Sequence, residues 1–378
     1  MEFYLVGGAV RDKILKINSK DKDFVVTNGS IEEMVKLGYK QVGKSFPVFI
    51  DPNTGFEYAL ARKEKKINKG HKSFEFIFSK DTTLIEDLRR RDLTINAIAQ
   101  DKSGRHIDPF NGILDIKNKV LRHVSNAFIE DPLRLFRVAR FSATLNFTVH
   151  PKTELLLKDI VKSKELLFLS KYRISSEFIK AVNSKNVTNF FNVLTNCHAL
   201  HQLVGIHRKT NTIINDNKVG TMNMITNSYK YNLLTADEKI ICLMFFLKLR
   251  TDNKSFYNNA HQKLIIFTNK KDNEVLLLNL IENIQILTNF LKTKPEKIIR
   301  FFKKLNVSRN LVQLKSCLNI INVIFQKNNY KTDLIYNLAI SVKNIKVDNM
   351  SLLSPSEIKN RIKSKIFQLI RQFLNENK

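Results

Sequence analysis

The sequence predicts a mixed α+β N-terminal domain, a small sheet with helices, followed by an all-helical remainder. Three features of the chain point there. Short β-branched and aromatic runs alternate with helix-spaced pieces over residues 1–120, and most of the Gly and Pro falls in that same stretch. From residue 121 onward, amphipathic i, i+3, i+4 spacing continues to the C-terminus.

The strand candidates come first in the chain. "FYLVG", "DFVV", "FPVFI" and "FEYALA" are bounded by turn residues. Between them, "GAVRDKILK" and "SIEEMVKLG" have helical spacing, the second with Ser30 at an N-cap position and Gly38 as a stop. Beyond residue 121, "NAFIEDPLRLFRVARFSATL" and "SKYRISSEFIKAVNS" read as long amphipathic helices. There is no fixed-period repeat.

A formal net charge of +28 on 378 residues produces a strong positive field, whose usual partner is a polyanion. A Lys- and Asn-rich composition alone is the plainer source of that charge. Cys197, Cys242 and Cys317 are far apart and follow no CxxC spacing, which suits a reducing compartment and excludes a disulfide framework or a zinc site. The opening "MEFYLVGG" lacks the features of a signal peptide. No segment approaches the roughly 18 apolar residues of a membrane span. The expectation is a cytoplasmic protein with no membrane association.

The chemistry starts in "LVGGAVRDKILKINSKDKDFVV". On a strand, Asp21 and Asp23 share a face and repel each other unless a cation sits between them. Mg²⁺ takes few protein carboxylates and completes its shell with phosphate oxygens and water, so such a pair suits metal-assisted nucleotidyl transfer. A solvated turn is the alternative. The preceding "GGAVRD" changes the balance: Gly7 and Gly8 let backbone N–H groups approach an anion at a helix start, and Arg11 adds a forked donor.

"LVGGAVRD…KDKDFVV", "RRRDLTINAIA", "DPFNGILDI" and "EDPLRLFRVARF" follow one another in order. Together they resemble the motifs of the class II tRNA nucleotidyltransferases, the CCA-adding enzymes in their bacterial form, whose pattern bacterial poly(A) polymerases largely share. The likeness is dense over residues 1–145, weaker to 205 and poor beyond. It implies a nucleotidyltransferase head over 1–120, a helical neck over 121–205, and a helical body and tail over 206–378. Further implications are Mg²⁺ as cofactor, CTP and ATP as substrates, and tRNA with a missing or incomplete 3′ CCA as partner. No protein partner is implied. By the same resemblance Asp21 and Asp23 would bind the catalytic metal, Gly8 and Arg11 would contact the triphosphate, and Arg91, Asp92 and Asn96 would read the ribose and steady the site. Asp108 and Gly112 resemble a hinge between head and neck. Poly(A) polymerase activity, extending RNA with ATP alone, is the alternative.

Base choice without a template has a physical route through "EDPLRLFRVAR". Asp131 and Arg134, three apart on a helix, would be surface neighbours, one only accepting and the other only donating hydrogen bonds. Cytosine and adenine each present an amino donor beside a ring-nitrogen acceptor, which complements that pair; guanine and uracil reverse the pattern. Mismatched buried polar groups cost several kcal/mol, enough for strong discrimination. Arg137 and Arg140 continue a stripe that drifts roughly 60° per step and extends about 13 Å, suited to a ligand with phosphates beyond its base. The family assigns them to holding the nucleotide. Solvent-facing arginines with one intrahelical ion pair are the alternative.

"EYALARKEKKINKGHKSFEF" is polar and contains glycine, where the family carries a flexible loop needed for the final A. Many relatives add a phosphohydrolase domain marked by a His-Asp pair; here Phe245 and Phe246 stand in the matching "ADEKIICLMFFLKLR", and His198, His201 and His207 lack supporting acids, so no hydrolase activity is expected. The basic helices "KTKPEKIIRFFKKL" and "SEIKNRIKSKIFQLIRQF" suit a surface that follows a tRNA backbone.

Overall fold

The structure, a computed structural model, describes residues 1–18, 21–42, 48–66, 74–78, 80–204, 224–249, 264–325, 332–346 and 354–377. It divides into two compact units, Met1–Leu203 and Val204–Lys378.

The strands of the first unit's N-terminal part are β1 (Glu2–Val6), β2 (Asp23–Thr27), β3 (Lys40–Val42), β4 (Val48–Ile50), β5 (Glu57–Leu60), β6 (Arg62–Lys66), β7 (Phe74–Phe78), β8 (Ala99–Gln100) and β9 (His106–Ile107). Seven of them form a mixed sheet in the order β3-β4-β5-β2-β1-β8-β9. β1 pairs antiparallel with β2, and β2 runs parallel to β5. Successive side chains on a strand face opposite ways. Val25 accordingly joins a core with Val6, Leu84, Leu88 and Ala99, while Val26 joins Met34, Phe49, Tyr58 and Leu60 on the other side.

The helices of this unit include α1 (Gly8–Ile14), α2 (Ile31–Lys36), α3 (Leu84–Arg89), α4 (Gly112–Lys117), α5 (Leu133–Leu145), α6 (Pro151–Lys162), α7 (Lys171–Val182) and α8 (Val187–Asn196). Ser30 caps α2 as its sequence position predicts, in a capping box with Glu33, and Gly38 follows the helix with φ +88°. The polar stretch after β5 is not loop throughout: β6 and β7 pair antiparallel from Arg62↔Phe78 to Lys66↔Phe74, and residues 67–73 lie outside the described residues. Nor is the chain beyond residue 120 wholly helical, because Val120–Leu121 (β10) and Thr148–Val149 (β11) form a short parallel pair. α5 buries Leu135, Phe136, Val138 and Ala139 and packs against α7 and α8, whose Phe178, Phe190 and Phe191 meet at centroid distances of 5.1–5.6 Å.

The second unit is helical in its described residues, with long helices at Ala236–Leu249, Lys271–Thr288, Val312–Ile324 and Pro355–Glu376. Phe245 and Phe246 are buried in its core. Among the described residues no group of three or more His, Cys, Asp or Glu is placed to hold a metal ion. His207 lies outside them. Among the described residues no helix is long and apolar enough to cross a membrane. The three cysteines are buried thiols, and burial pushes Cys197 up to about 12.

Candidate nucleotide-binding site

The β1–α1 turn brings backbone close to side chain. Gly7 has φ +70° and ψ −131°, a conformation available essentially to glycine alone. A Cβ there would also sit 2.9 Å from Nη1 of Arg91. Gly8 opens α1. Arg11, one turn further, is buried with three of its five donors engaged: Nη1 donates to Oδ1 of Asn96 at 2.6 Å, and Nε and Nη2 donate to Oδ1 of Asp12 at 2.9 and 2.7 Å. It also braces α1 against the turn that carries Asn96, while still lining the cavity.

Asp23 is the first residue of β2, opposite Val6 of β1 and, through the parallel pairing, opposite Glu57 of β5. Asp21 precedes the strand and is exposed, so strand alternation does not by itself align the two acids as expected. Asp23 opens toward the cavity, yet partial burial still pushes its carboxyl above the usual range; Arg91 pulls it back, and the charge of Asp21 adds to the rise. Such an acid is stabilised in its charged form by a nearby cation. Few protein carboxylates and no closed cluster fit a divalent ion that shares its shell with phosphates.

The turn after α3 supplies a second layer. Asp92 is buried and three groups converge on it: Leu93 N–H and Asn96 Nδ2 donate to Oδ1 at 2.8 and 3.0 Å, and Arg137 Nε donates to Oδ2 at 2.7 Å. Burial opposes its charge, but Arg137, Asn96 and Arg134 outweigh it and hold the carboxyl well below the usual range. In return Asp92 raises the affinity of Arg137 for its proton. Arg137 is therefore tied to the head, while Arg140 donates Nε to Glu177 of α7. Phe141 lies beneath three guanidinium groups, with Arg140, Arg11 and Arg137 at 3.9, 4.9 and 5.7 Å from its ring centroid.

Asp131 is not on the helix. Pro132 disfavours helical geometry in the residue before it, and Asp131 has φ −109° and ψ 103° immediately ahead of α5. Its Oδ1 accepts from Leu133 N–H at 3.1 Å and its Oδ2 from Nη2 of Arg173 at 3.3 Å. The ion pair it makes is thus with α7, across the neck, and not with Arg134. Arg134 donates Nη2 to the Arg90 carbonyl at 2.7 Å and Nη1 to the Ala127 carbonyl at 3.2 Å. Asp108 accepts from the N–H groups of Gly112 and Ile113 at 2.7 and 2.8 Å, closing the start of α4, and a Cβ on Gly112 would fall 2.2 Å from the Thr94 carbonyl oxygen. Both are fixed packing positions; neither lines the cavity.

Of the residues that the sequence assigns to metal or nucleotide, all but Asp21 line one cavity of about 490 Å³ in the first unit, with Gly7 of the glycine turn; Arg90, Phe141 and Arg173 line it too. Among the described lining residues seven arginines face three aspartates, a balance suited to a polyanionic ligand. Arg90, Phe141 and Arg173 were missed by sequence. "YRISSE" offered a signal for Arg173, since Arg173 and Glu177 share a helix face with the buried Ile174 and Phe178 of α7 beside them.

Residues 3–122 match the poly A polymerase head domain. The chain is 36% identical to the CCA-adding enzyme of Francisella tularensis subsp. novicida over 99% of its own length and 100% of that protein. Its N-terminal part is 56% identical over 203 residues to the multifunctional CCA protein of Shewanella frigidimarina, an alignment that covers 53% of this chain and only 49% of that one, about half of the relative's length. The fold also matches the solved Thermotoga maritima CCA-adding enzyme complexed with tRNA, with a TM-score of 0.63 and 17% identity, covering 100% of this chain and 92% of that chain. It matches a tRNA-processing enzyme solved with CTP at a TM-score of 0.62 and 23% identity, over 99% of this chain and 97% of that one. With an arginine-rich cavity of about 490 Å³ in the first unit and a relative matched from end to end, the chain belongs to the CCA-adding enzymes of the tRNA nucleotidyltransferase family.

Proposed function

We propose that the protein adds C, C and A to the 3′ end of tRNA from CTP and ATP without a template, with Mg²⁺ as cofactor and in the cytoplasm, where these substrates meet. The 3′-hydroxyl attacks the α-phosphate of the nucleotide, a new phosphodiester forms, and pyrophosphate leaves. One observation carries the reading: a single cavity combines an acid pair's edge at Asp23, an excess of arginines, and the opposed hydrogen-bonding characters of Asp131 and Arg134.

Asp21 and Asp23 are the residues that would hold the cation, which when bound would neutralise phosphate charge and favour ionisation of the attacking hydroxyl. Arg91 and the α1 N-terminus beyond Gly8 take the phosphates, with Arg11 bracing that turn. Asn96 and Asp92 fix the ribose end. Asp131 and Arg134 read the base edge, and their existing bonds leave room for this: a carboxylate has about four acceptor sites and a guanidinium five donors. Arg137 keeps the neck helix α5 aligned with the head through Asp92, and Arg140 ties it to α7 through Glu177. The head spans 1–120 and the neck 121–205; the basic helices of 206–378 take the tRNA body.

Incubation with tRNA truncated before CCA and each labelled nucleotide tests the proposal. Incorporation of C and then A, with neither G nor U, is expected. Addition of A alone, in runs, would make the protein a poly(A) polymerase, and equal use of all four nucleotides would refute selection by Asp131 and Arg134.

A further inference from the structure

Asp87 of α3 is a carboxylate with no exposed surface that the reaction above does not use. Its oxygens are divided between two successive arginines. Oδ1 accepts from Nε and Nη2 of Arg90 at 3.0 and 2.5 Å, and Oδ2 accepts from Nη2 of Arg91 at 3.1 Å. Arg91 has acids on two sides. Its guanidinium lies against Gly7, where a Cβ would come within 2.9 Å, and Gly7 follows Val6, the register partner of Asp23. From there its charge already lowers the Asp23 carboxyl. Its Nε is buried without a hydrogen-bond acceptor among the described residues. Its Nη1 donates only a long bond, 3.4 Å, to the Asn96 carbonyl, so the ion pair with Asp87 is the stronger of the two contacts that hold the guanidinium, and it is held at the cost of an unsatisfied Nε.

We propose that Asp87 is a positioning residue that tethers Arg91 away from Asp23, so that the acid pair stays available to a divalent cation and Arg91 faces the phosphates. The inference rests on the proposed metal-dependent transfer. Without the tether, Arg91 is an internal cation at high effective concentration beside Asp23, and it competes with the metal for the same carboxylate. Asp87 prevents that because a buried carboxylate cannot release its partners cheaply: removing one member of such a group strands the other charge.

Mn²⁺ binding to the full chain, followed through the electron paramagnetic resonance of the free aqua ion, provides a readout independent of turnover. Asp87→Asn is expected to weaken Mn²⁺ binding about tenfold, as an opposite charge newly pairs with a ligand carboxylate. Asp87→Asn combined with Arg91→Gln is expected to recover binding to within about twofold of the unmodified protein, since the competitor is gone. Unchanged binding in Asp87→Asn overturns the inference. So does equal weakening in both variants, the result of a purely structural role. If the unmodified protein incorporates C and A while either of these results is found, the tether fails and the proposed function stands. If it neither incorporates nucleotide nor binds Mn²⁺, the metal-dependent reading fails, and the tether with it.

Discussion

Asp92→Asn changes one atom and disturbs three elements. In the unmodified protein both carboxylate oxygens accept: Oδ1 from Leu93 N–H and Asn96 Nδ2, Oδ2 from Arg137 Nε. An asparagine amide must turn its NH₂ toward one of these sets of donors, so a donor faces a donor whichever way it flips. It also leaves Arg137 without its charge partner. Breaking a buried pair in this way costs about 3–5 kcal/mol, and the side chain of Arg137 is 34% exposed against 7% for Asp92, which favours the lower end. At about 3 kcal/mol, and roughly 2–4 °C per kcal/mol for a unit of this size, the melting temperature should fall by about 6–12 °C. Scanning calorimetry of both proteins at neutral pH measures it, and KM for CTP should rise in parallel because Asn96 and Arg137 lose their common anchor. The folded state holds the Asp92 carboxyl below its ordinary value. Its contribution is therefore complete at neutral pH and is lost as pH falls from the ordinary carboxylate range through that lower value. The difference between the two proteins should shrink over that interval. A melting temperature unchanged within 2 °C (about 0.5–1 kcal/mol), or a difference that grows as pH falls, would refute the reasoning.

Three further substitutions probe other parts of the cavity. Gly7→Ala imposes a backbone conformation costing about 1–3 kcal/mol and pushes against Arg91, so thermal stability and nucleotide affinity should drop together; nucleotide titration by calorimetry checks it. Asp131→Ala should lower CTP and ATP incorporation by at least about tenfold and narrow the preference over GTP and UTP, because the acceptor half of the base edge is removed; competition among labelled nucleotides reports this. Asp23→Asn should raise the Mg²⁺ concentration needed for half-maximal activity, because a charged carboxylate lining the cavity is lost; a metal titration of nucleotide incorporation measures it.

Where local chemistry decides the geometry, the sequence was a good guide. The helix start at Ser30, the glycine turn before α1 and the buried apolar face of α5 follow from caps, backbone freedom and periodicity. The acid pair was recognised, but its geometry was misjudged, because β2 begins only at Asp23. Helical spacing puts Asp131 on the helix with Arg134, but the proline that follows it disfavours helical geometry there, a restriction that is legible in the sequence. Other contacts depend on chain crossings that no local pattern encodes. Glu57 reaches Asp23 through a parallel pairing thirty-four positions away in the chain, and Arg173 reaches Asp131 across forty-two. The arginine stripe was anticipated as ligand-facing, whereas Arg137 and Arg140 are also held by Asp92 and Glu177.

The crowd of guanidinium groups around Phe141 has a thermodynamic consequence. Like charges gathered on a ring repel one another, and although Asp12, Asp87 and Glu177 join the three lining aspartates in offsetting them, the seven arginines still outnumber these six acids, which leaves a residual electrostatic frustration. A triphosphate relieves that frustration, and binding to the folded state alone must then raise its melting point, steeply so at low ionic strength. The same feature sets a limit on engineering: replacing an arginine that is paired with a buried acid, as Arg137 is with Asp92, strands that acid, so heat resistance and nucleotide binding are lost together.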